Sequence, residues 1–274
     1  MLSELRPLTL GELLDRAFFL YRKYFLVFAG IIALPHLALL AVQLIGVMLR
    51  PGRTLGSAGI SGLWTLLTIV VALGVGAISQ GGTVVAVSQV HLGRPVSISE
   101  AFAGMKGRAF SLALIMIGYW IGIGVGFALL IVPGIILALM WALTIPVAVL
   151  EDKGLRDSVE RSAELTKGHR GRVFLIYLLF VVLFYAVYLA WEIPILAAIG
   201  FAVRSSHNPM PPLWMLLAIP VGTFLTQCVV GPLMTIALSL MYYDERVRKE
   251  AFDLQHMMAS LDGVTPGPVP ATGI

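Results

Sequence analysis

Long uncharged apolar runs, separated by short charged stretches, set the pattern of this chain. No Asp, Glu, Lys or Arg occurs in 24–49, 54–93, 109–150, 173–191 or 205–243. A helix needs about 20 apolar residues to cross a hydrocarbon core of ~30 Å. Runs of about forty therefore hold two spans, or a span and a loop. The pattern predicts six spans, roughly 25–48, 63–90, 110–131, 134–150, 173–203 and 213–243. The last two, at about 30 residues each, reach ~45 Å and must tilt, kink or protrude. Lipid leaves no water to satisfy backbone groups, so the apolar runs are expected to be helical. The expected fold class is an all-α integral membrane protein with six transmembrane helices.

Some of the charged stretches open alike. Arg6-Pro7-Leu8-Thr9-Leu10-Gly11-Glu12 reads against Arg94-Pro95-Val96-Ser97-Ile98-Ser99-Glu100. In each, a hydroxyl residue stands three before a glutamate, the spacing of a capping box. A proline two residues before the cap keeps the entering chain extended. Gly154-Leu155-Arg156-Asp157 fits the frame more loosely, with Gly as cap and an acid at N3. The expectation is three units of cytoplasmic surface helix plus transmembrane hairpin, near 9–90, 97–150 and 154–243, in one polytopic domain, 1–262. Weak internal repeats are common in membrane folds. The plainer alternative is shared cap chemistry without a repeat.

The third short helix is the clearest. Leu155, Val159, Ser162, Ala163 and Thr166 share one face, and Arg156, Glu160, Glu164 and Lys167 the other. Arg156–Glu160 and Asp157–Arg161 are opposite charges at i,i+4, and Gly168 is placed to end the helix. Its small face suits docking on the spans better than insertion in lipid. Arg161 or Arg156 is expected to approach an acid of the charged exit after Tyr243, or Glu160 or Glu164 to approach Arg246 or Arg248. The first short helix sets Leu13, Leu14, Phe18 and Leu20 beside Arg16, Arg22 and Lys23. It reads either as lipid-facing or as a flank that only orients the first span.

Charge then orients the model. All Lys and Arg residues except Arg50, Arg53 and Arg204 fall on one side of the six-span arrangement. The positive-inside rule puts that side, with both termini, in the cytoplasm. The localisation expected is a bacterial plasma membrane. The charged fraction is 12%, about half that of a soluble domain. The net charge of +4 is no nucleic-acid signal, because the basic residues flank spans. Acids at Glu4 and Glu12 make a poor signal peptide. Cys228 stands alone, so no intrachain disulfide forms.

Ionisable groups at depth are few. Intramembrane charge is a functional hypothesis by default, which makes His36, Gln43, Gln80, Glu192 and Gln227 the candidate polar site. Glu192 follows nineteen uncharged residues, so it lies either within the membrane or at its outer surface. Gly118, Gly122 and Gly126, four apart, let another backbone approach closely, from a neighbouring span or from a second copy. Pro35, Pro146, Pro194, Pro220 and Pro232 sit in or near spans, where each removes a helix hydrogen bond. Pro133-Gly134, between the third and fourth spans, suits the central pair of a type II turn. No metal-ligand cluster, nucleophile with a base or phosphate loop is present in the sequence. No cofactor is expected, and the partners expected are membrane lipids and unidentified proteins, not nucleic acid. After Gly263 a Pro- and Gly-rich stretch reads as a disordered tail, 263–274.

Four segments together resemble one known family. They are Val132-Pro133-Gly134-Ile135-Ile136, Val149-Leu150-Glu151-Asp152-Lys153-Gly154, Arg161-Ser162 with Leu165-Thr166-Lys167-Gly168, and Tyr242-Tyr243-Asp244-Glu245-Arg246-Val247-Arg248-Lys249-Glu250. They are similar to the bacterial membrane-domain family of glycerophosphoryl diester phosphodiesterases, over most of 1–262 and most specifically 132–172 and 242–254. In some members this region precedes a soluble phosphodiesterase domain, which this chain is expected to lack. The paired histidines and acidic metal ligands of that chemistry have no counterpart here. The resemblance therefore implies a membrane fold without enzymatic activity. The first functional expectation is a non-enzymatic scaffold or accessory protein of the cell envelope. The second is a transporter or lipid-handling protein with a cavity between helices, and an intramembrane enzyme ranks last.

Overall fold

The computed structural model describes residues 8–49, 57–205 and 211–262, the side chains at 57–60 and 251–262 excepted. The predicted tail 263–274 lies outside the described residues. All regular structure among the described residues is helical, and six helical stretches are long and apolar enough to cross a membrane. The chain is an all-α, multi-span membrane protein. It opens with α1 (Leu10–Lys23), α2 (Phe25–Met48) and α3 (Ser57–His91). Next come α4 (Ile98–Ala103), α5 (Ala109–Leu129), α6 (Ile131–Met140) and α7 (Thr144–Leu150). The last group is α8 (Leu155–Thr166), α9 (Arg170–Ser205) and α10 (Leu213–Asp262).

The three expected helix starts fall at the expected residues. Thr9 caps α1 through its hydroxyl while Glu12 reaches back, a complete capping box. Ser97 accepts from the Glu100 amide at the start of α4, and Gly154 caps α8 in extended backbone. Each short helix leads into a pair of spans.

Burial is uneven along the bundle. One continuous core joins Leu13, Ala17 and Tyr21 of α1 to Phe28, Val87, Leu143, Ile176, Phe180, Ile236 and Met241. Away from that end the spans show lipid-type surface, with Leu63, Ile121, Leu130 and Phe201 all more than half exposed. The long helices thus converge into a protein-like body at one end, the near end, where α1, α7 and α8 pack around them.

Four expectations change in detail. The fourth span is not one helix but α6 and α7, broken at Trp141–Leu143. Pro146 cannot donate to the carbonyl four residues earlier, and α8 fills the gap. The Leu143 amide donates to Ser162 Oγ at 3.0 Å. Ser162 Oγ donates in turn to Met140 O at 2.9 Å, and Thr166 Oγ1, 2.9 Å from Ser162 O, stands 3.2 Å from the same Met140 carbonyl.

Second, the turn between α5 and α6 is not at Pro133-Gly134. Leu130 alone makes it, extended at φ −162° and ψ 153°. Pro133 sits in the first turn of α6, where its missing N–H costs nothing, and Gly134 lets α5 come close. A Cβ on Gly126 would lie 3.1 Å from Gly134 Cα.

Third, α1 is neither lipid-facing nor a bare flank. Leu13 and Leu20 are buried, and Phe18 packs on Phe180 at 6.1 Å between ring centroids. The Leu8 amide meets Asp244, and Tyr21 OH donates to Val229 O at 2.5 Å, so α1 runs antiparallel along α10.

Fourth, the buried face of α8 is rotated from the predicted one. Ser158, Ser162, Leu165 and Thr166 are fully buried, while Leu155 is 39% exposed. Hydroxyls rather than aliphatics lead that face, because the broken span needs hydrogen-bond partners.

Candidate functional site

The densest chemistry of the molecule lies where α8, α9 and α10 meet the N-terminal strand of chain. α10 leaves its apolar run at Tyr242 and passes directly into Asp244 and Glu245, whose side chains are 1% and 0% exposed. Isolated carboxylates so buried would be prohibitively desolvated. Arg172, two residues into α9, answers both. Its guanidinium lies 2.7 Å from Asp244 Oδ2 and 3.2 Å from Glu245 Oε1, and donates to Leu8 O at 2.9 Å. Arg248, one turn after Asp244, donates to Asp244 Oδ2 at 2.9 Å and to Leu8 O at 2.5 Å. The Leu8 amide completes the cluster, 2.7 Å from Asp244 Oδ1. His169 Nδ1 also lies 2.7 Å from Glu245 Oε2.

A second cluster adjoins it. Glu151, just past α7, accepts from Tyr242 OH at 2.9 Å and pairs with Lys153 at 2.6 Å and Arg161 at 3.4 Å. Burial opposes its charge, but the bonds from Lys153 and Tyr242 and the Arg161 guanidinium outweigh it and hold this carboxyl below its ordinary value. Desolvation likewise works against the Arg161 charge, and Glu151 with Glu250 overrides it, raising that group. Arg161 reaches Glu250 at 2.5 Å, and Arg246 holds the same carboxylate at 2.9 Å. Lys249 Nζ donates to the carbonyls of Glu164 and Lys167. It thereby neutralises the negative end of the α8 dipole.

The expected approach of Arg161 to an acid of the charged exit is therefore present. Arg161 turns to Glu151, Glu164 and Glu250 rather than to Asp157. Gly168 ends the α8 turn at φ +90°.

The intramembrane candidates are spread over α2, α3, α9 and α10. His36 Nδ1 lies 2.8 Å from Ile32 O and 3.3 Å from Ser79 Oγ. A carbonyl only accepts, so Nδ1 carries the proton. Gln80 shares its α3 face with Ala77 and Val84, which pack against Ile115. Gln227 Oε1 lies over Gly231, beside Ile32. Glu192 is 7% exposed, on α9, and its Oε2 has no hydrogen-bond partner among the described residues. Gln43 lines a cleft of about 410 Å³ between α2, α3 and α10, with Trp64, Thr65, Thr68 and Thr223. The glycines pack within the chain. Gly118 faces Leu155, Gly122 the Trp141 ring, and Gly126 both Leu137 and Gly134.

Sequence reasoning expected α8 to meet the charged exit and missed that Asp244, Glu245 and Tyr242 are buried. The available signal was two adjacent acids directly after 39 uncharged residues, with arginines two and four residues after Asp244. Among the described residues no three His, Cys, Asp or Glu side chains stand as a metal site.

Comparison with known proteins matches the segment that builds this site. No curated protein and no solved structure matches the chain. A family model, the membrane domain of glycerophosphoryl diester phosphodiesterase, matches residues 95–259. That segment contains α4 to α9, most of α10 and both charge clusters except Leu8, and it covers more than half of the molecule. This chain therefore belongs to the family of the glycerophosphoryl diester phosphodiesterase membrane domain.

Proposed function

We propose that this chain is a non-enzymatic membrane scaffold whose near end is a fixed platform for partner proteins of the cell envelope. One observation carries the reading. Asp244, Glu245, Glu151 and Glu250 are each occupied by cations or hydroxyls of other segments. The clusters thus spend their charges on joining α8, α9, α10 and the chain before α1, which favours a structural over a catalytic use. A transporter calls for intramembrane polar groups that converge on a path, and His36, Gln80 and Glu192 stand on three different helices, α2, α3 and α9. The outward residues Arg156, Asp157 and Glu160 of α8 are exposed and form the surface offered to partners. In this reading the near end is cytoplasmic and the membrane is a bacterial plasma membrane, as the clustering of basic residues implies.

The test is complementation of whatever envelope defect follows deletion of the gene. Wild type, His36→Ala and Glu192→Gln are expected to restore growth equally. An Arg156→Ser/Glu160→Ser variant is expected to fail although present and folded. Failure of folded His36→Ala or Glu192→Gln, with success of the α8 variant, would overturn the scaffold in favour of transport.

A further inference from the structure

The cleft between α2, α3 and α10 belongs to neither charge cluster. Gln43 is five residues before the end of α2, and Leu216 to Thr223 lie in the first turns of α10. The cleft is thus at the far end of the bundle, within about 8–15 Å of the helix ends at 1.5 Å per residue. That is the depth of the ester and glycerol region in one leaflet.

Its lining divides by chemistry. Val47, Ile69, Leu216, Ile219 and Pro220 are apolar, and Ile69 is 51% exposed, so the cleft opens on the outer face of the bundle. The polar side is uncharged. Thr65, Thr68 and Thr223 each donate their proton to a carbonyl of their own helix, Ser61, Trp64 and Ile219. Their oxygens keep lone pairs free to accept. Among the described residues neither the Gln43 amide nor the Trp64 indole N–H has a protein partner. The indole nitrogen rests on Gly46, where a Cβ would stand 2.1 Å away, so the absence of a side chain at Gly46 makes room for it.

Donors left without a protein partner are costly once lipid covers them. They call for an acceptor that lipid itself supplies. We infer that the cleft binds the glycerol–ester region of an uncharged glycerolipid of the diacylglycerol class. The ester carbonyls accept from Gln43 and Trp64, the free hydroxyl donates to a threonine oxygen, and the acyl chains lie along Ile69 and Ile219. Among the described lining residues there is no cation to meet a phosphate, which favours the uncharged class. The volume is in the range of small-molecule sites. The inference is independent of the platform reading, since it concerns the opposite end of the bundle.

The experiment uses the full chain in phosphatidylcholine nanodiscs with a photoreactive diacylglycerol, mapped by peptide mass spectrometry. Labelling is expected to concentrate on 64–69 and 216–223, and to be competed away by unlabelled diacylglycerol. Gln43→Leu, which keeps the side-chain volume, is expected to reduce it about tenfold without changing the melting temperature. Labelling spread over the lipid-facing residues Leu63, Ile121 and Phe201 and not competed would overturn the site. Equal labelling by a photoreactive phosphatidylcholine with the same chains would overturn the uncharged class.

Discussion

Removing the Arg172 side chain tests the buried charge cluster at its centre. Arg172→Met keeps the aliphatic stem and deletes the guanidinium. Three interactions go with it, to Asp244 Oδ2, Glu245 Oε1 and Leu8 O. Asp244 still has Arg248 and the Leu8 amide, but among the described residues Glu245 keeps only His169. A fully buried carboxylate is then left under-compensated, for which breaking a buried pair costs about 3–5 kcal/mol. For a chain of this size that lowers the melting temperature by on the order of 10 °C. Cys228, the lone and half-buried thiol of α10, reports unfolding through reaction with a fluorogenic maleimide during a thermal ramp. Glu245→Gln in the Arg172→Met background is expected to recover part of the loss, because it removes the orphaned charge. Arg156→Met, on the exposed face of α8, is expected to change stability by less than about 0.5 kcal/mol. If Arg172→Met melts with Arg156→Met and wild type, water or lipid headgroups solvate the cluster and the reasoning fails.

The packing glycines rank by what they touch. Gly118→Ala meets only the flexible end of Leu155, whereas Gly126→Ala meets the Gly134 backbone at 3.1 Å. The first is expected to be nearly neutral and the second to cost about 1–3 kcal/mol, read in the same thermal assay. Ser162→Ala orphans the Leu143 amide and leaves Met140 O with Thr166 alone. It is expected to cost about 1–3 kcal/mol, and hydrogen exchange should rise first at 141–147. Glu151 has its carboxyl held below the ordinary value, so its contribution to stability is fully present above its unfolded pKa of about 4.3 and is lost as pH falls through the lower folded value. The difference in melting temperature between wild type and Glu151→Gln should accordingly stay constant from neutral pH to about pH 5 and shrink only below that.

The spans and the helix starts were legible because each rests on a local rule. Uncharged length sets a span, and Thr9 with Glu12 sets a cap whatever surrounds it. Where tertiary contacts decide, the sequence was silent or misleading. Pro133-Gly134 has the composition of a turn, but Gly134 is spent on the close approach of Gly126, and the reversal fell to Leu130. Ser162 and Thr166 looked like a small packing face. Their use as hydrogen-bond partners follows only from the break at 141–143, two segments away. The burial of Asp244 and Glu245 depends on Arg172 and on the Leu8 backbone, 72 and 236 residues from Asp244. The intramembrane candidates were chosen for being polar at depth. That rule finds costly groups but not which of them line one space, and it spread the candidates over α2, α3, α9 and α10.

The central claim is that protein charges, not lipid headgroups, hold the near end together as one platform. The competing view is that α8 and the exit of α10 each bind anionic lipid independently, at about 1 kcal/mol per basic residue. Cysteines at Glu164 and Lys249, in a Cys228→Ser background, measure this directly, because Lys249 Nζ donates to Glu164 O. With a short bis-thiol reagent, crosslinking is expected to be as efficient in vesicles of phosphatidylcholine alone as in vesicles rich in phosphatidylglycerol. Crosslinking that vanishes in the uncharged vesicles and returns with anionic lipid would contradict the account.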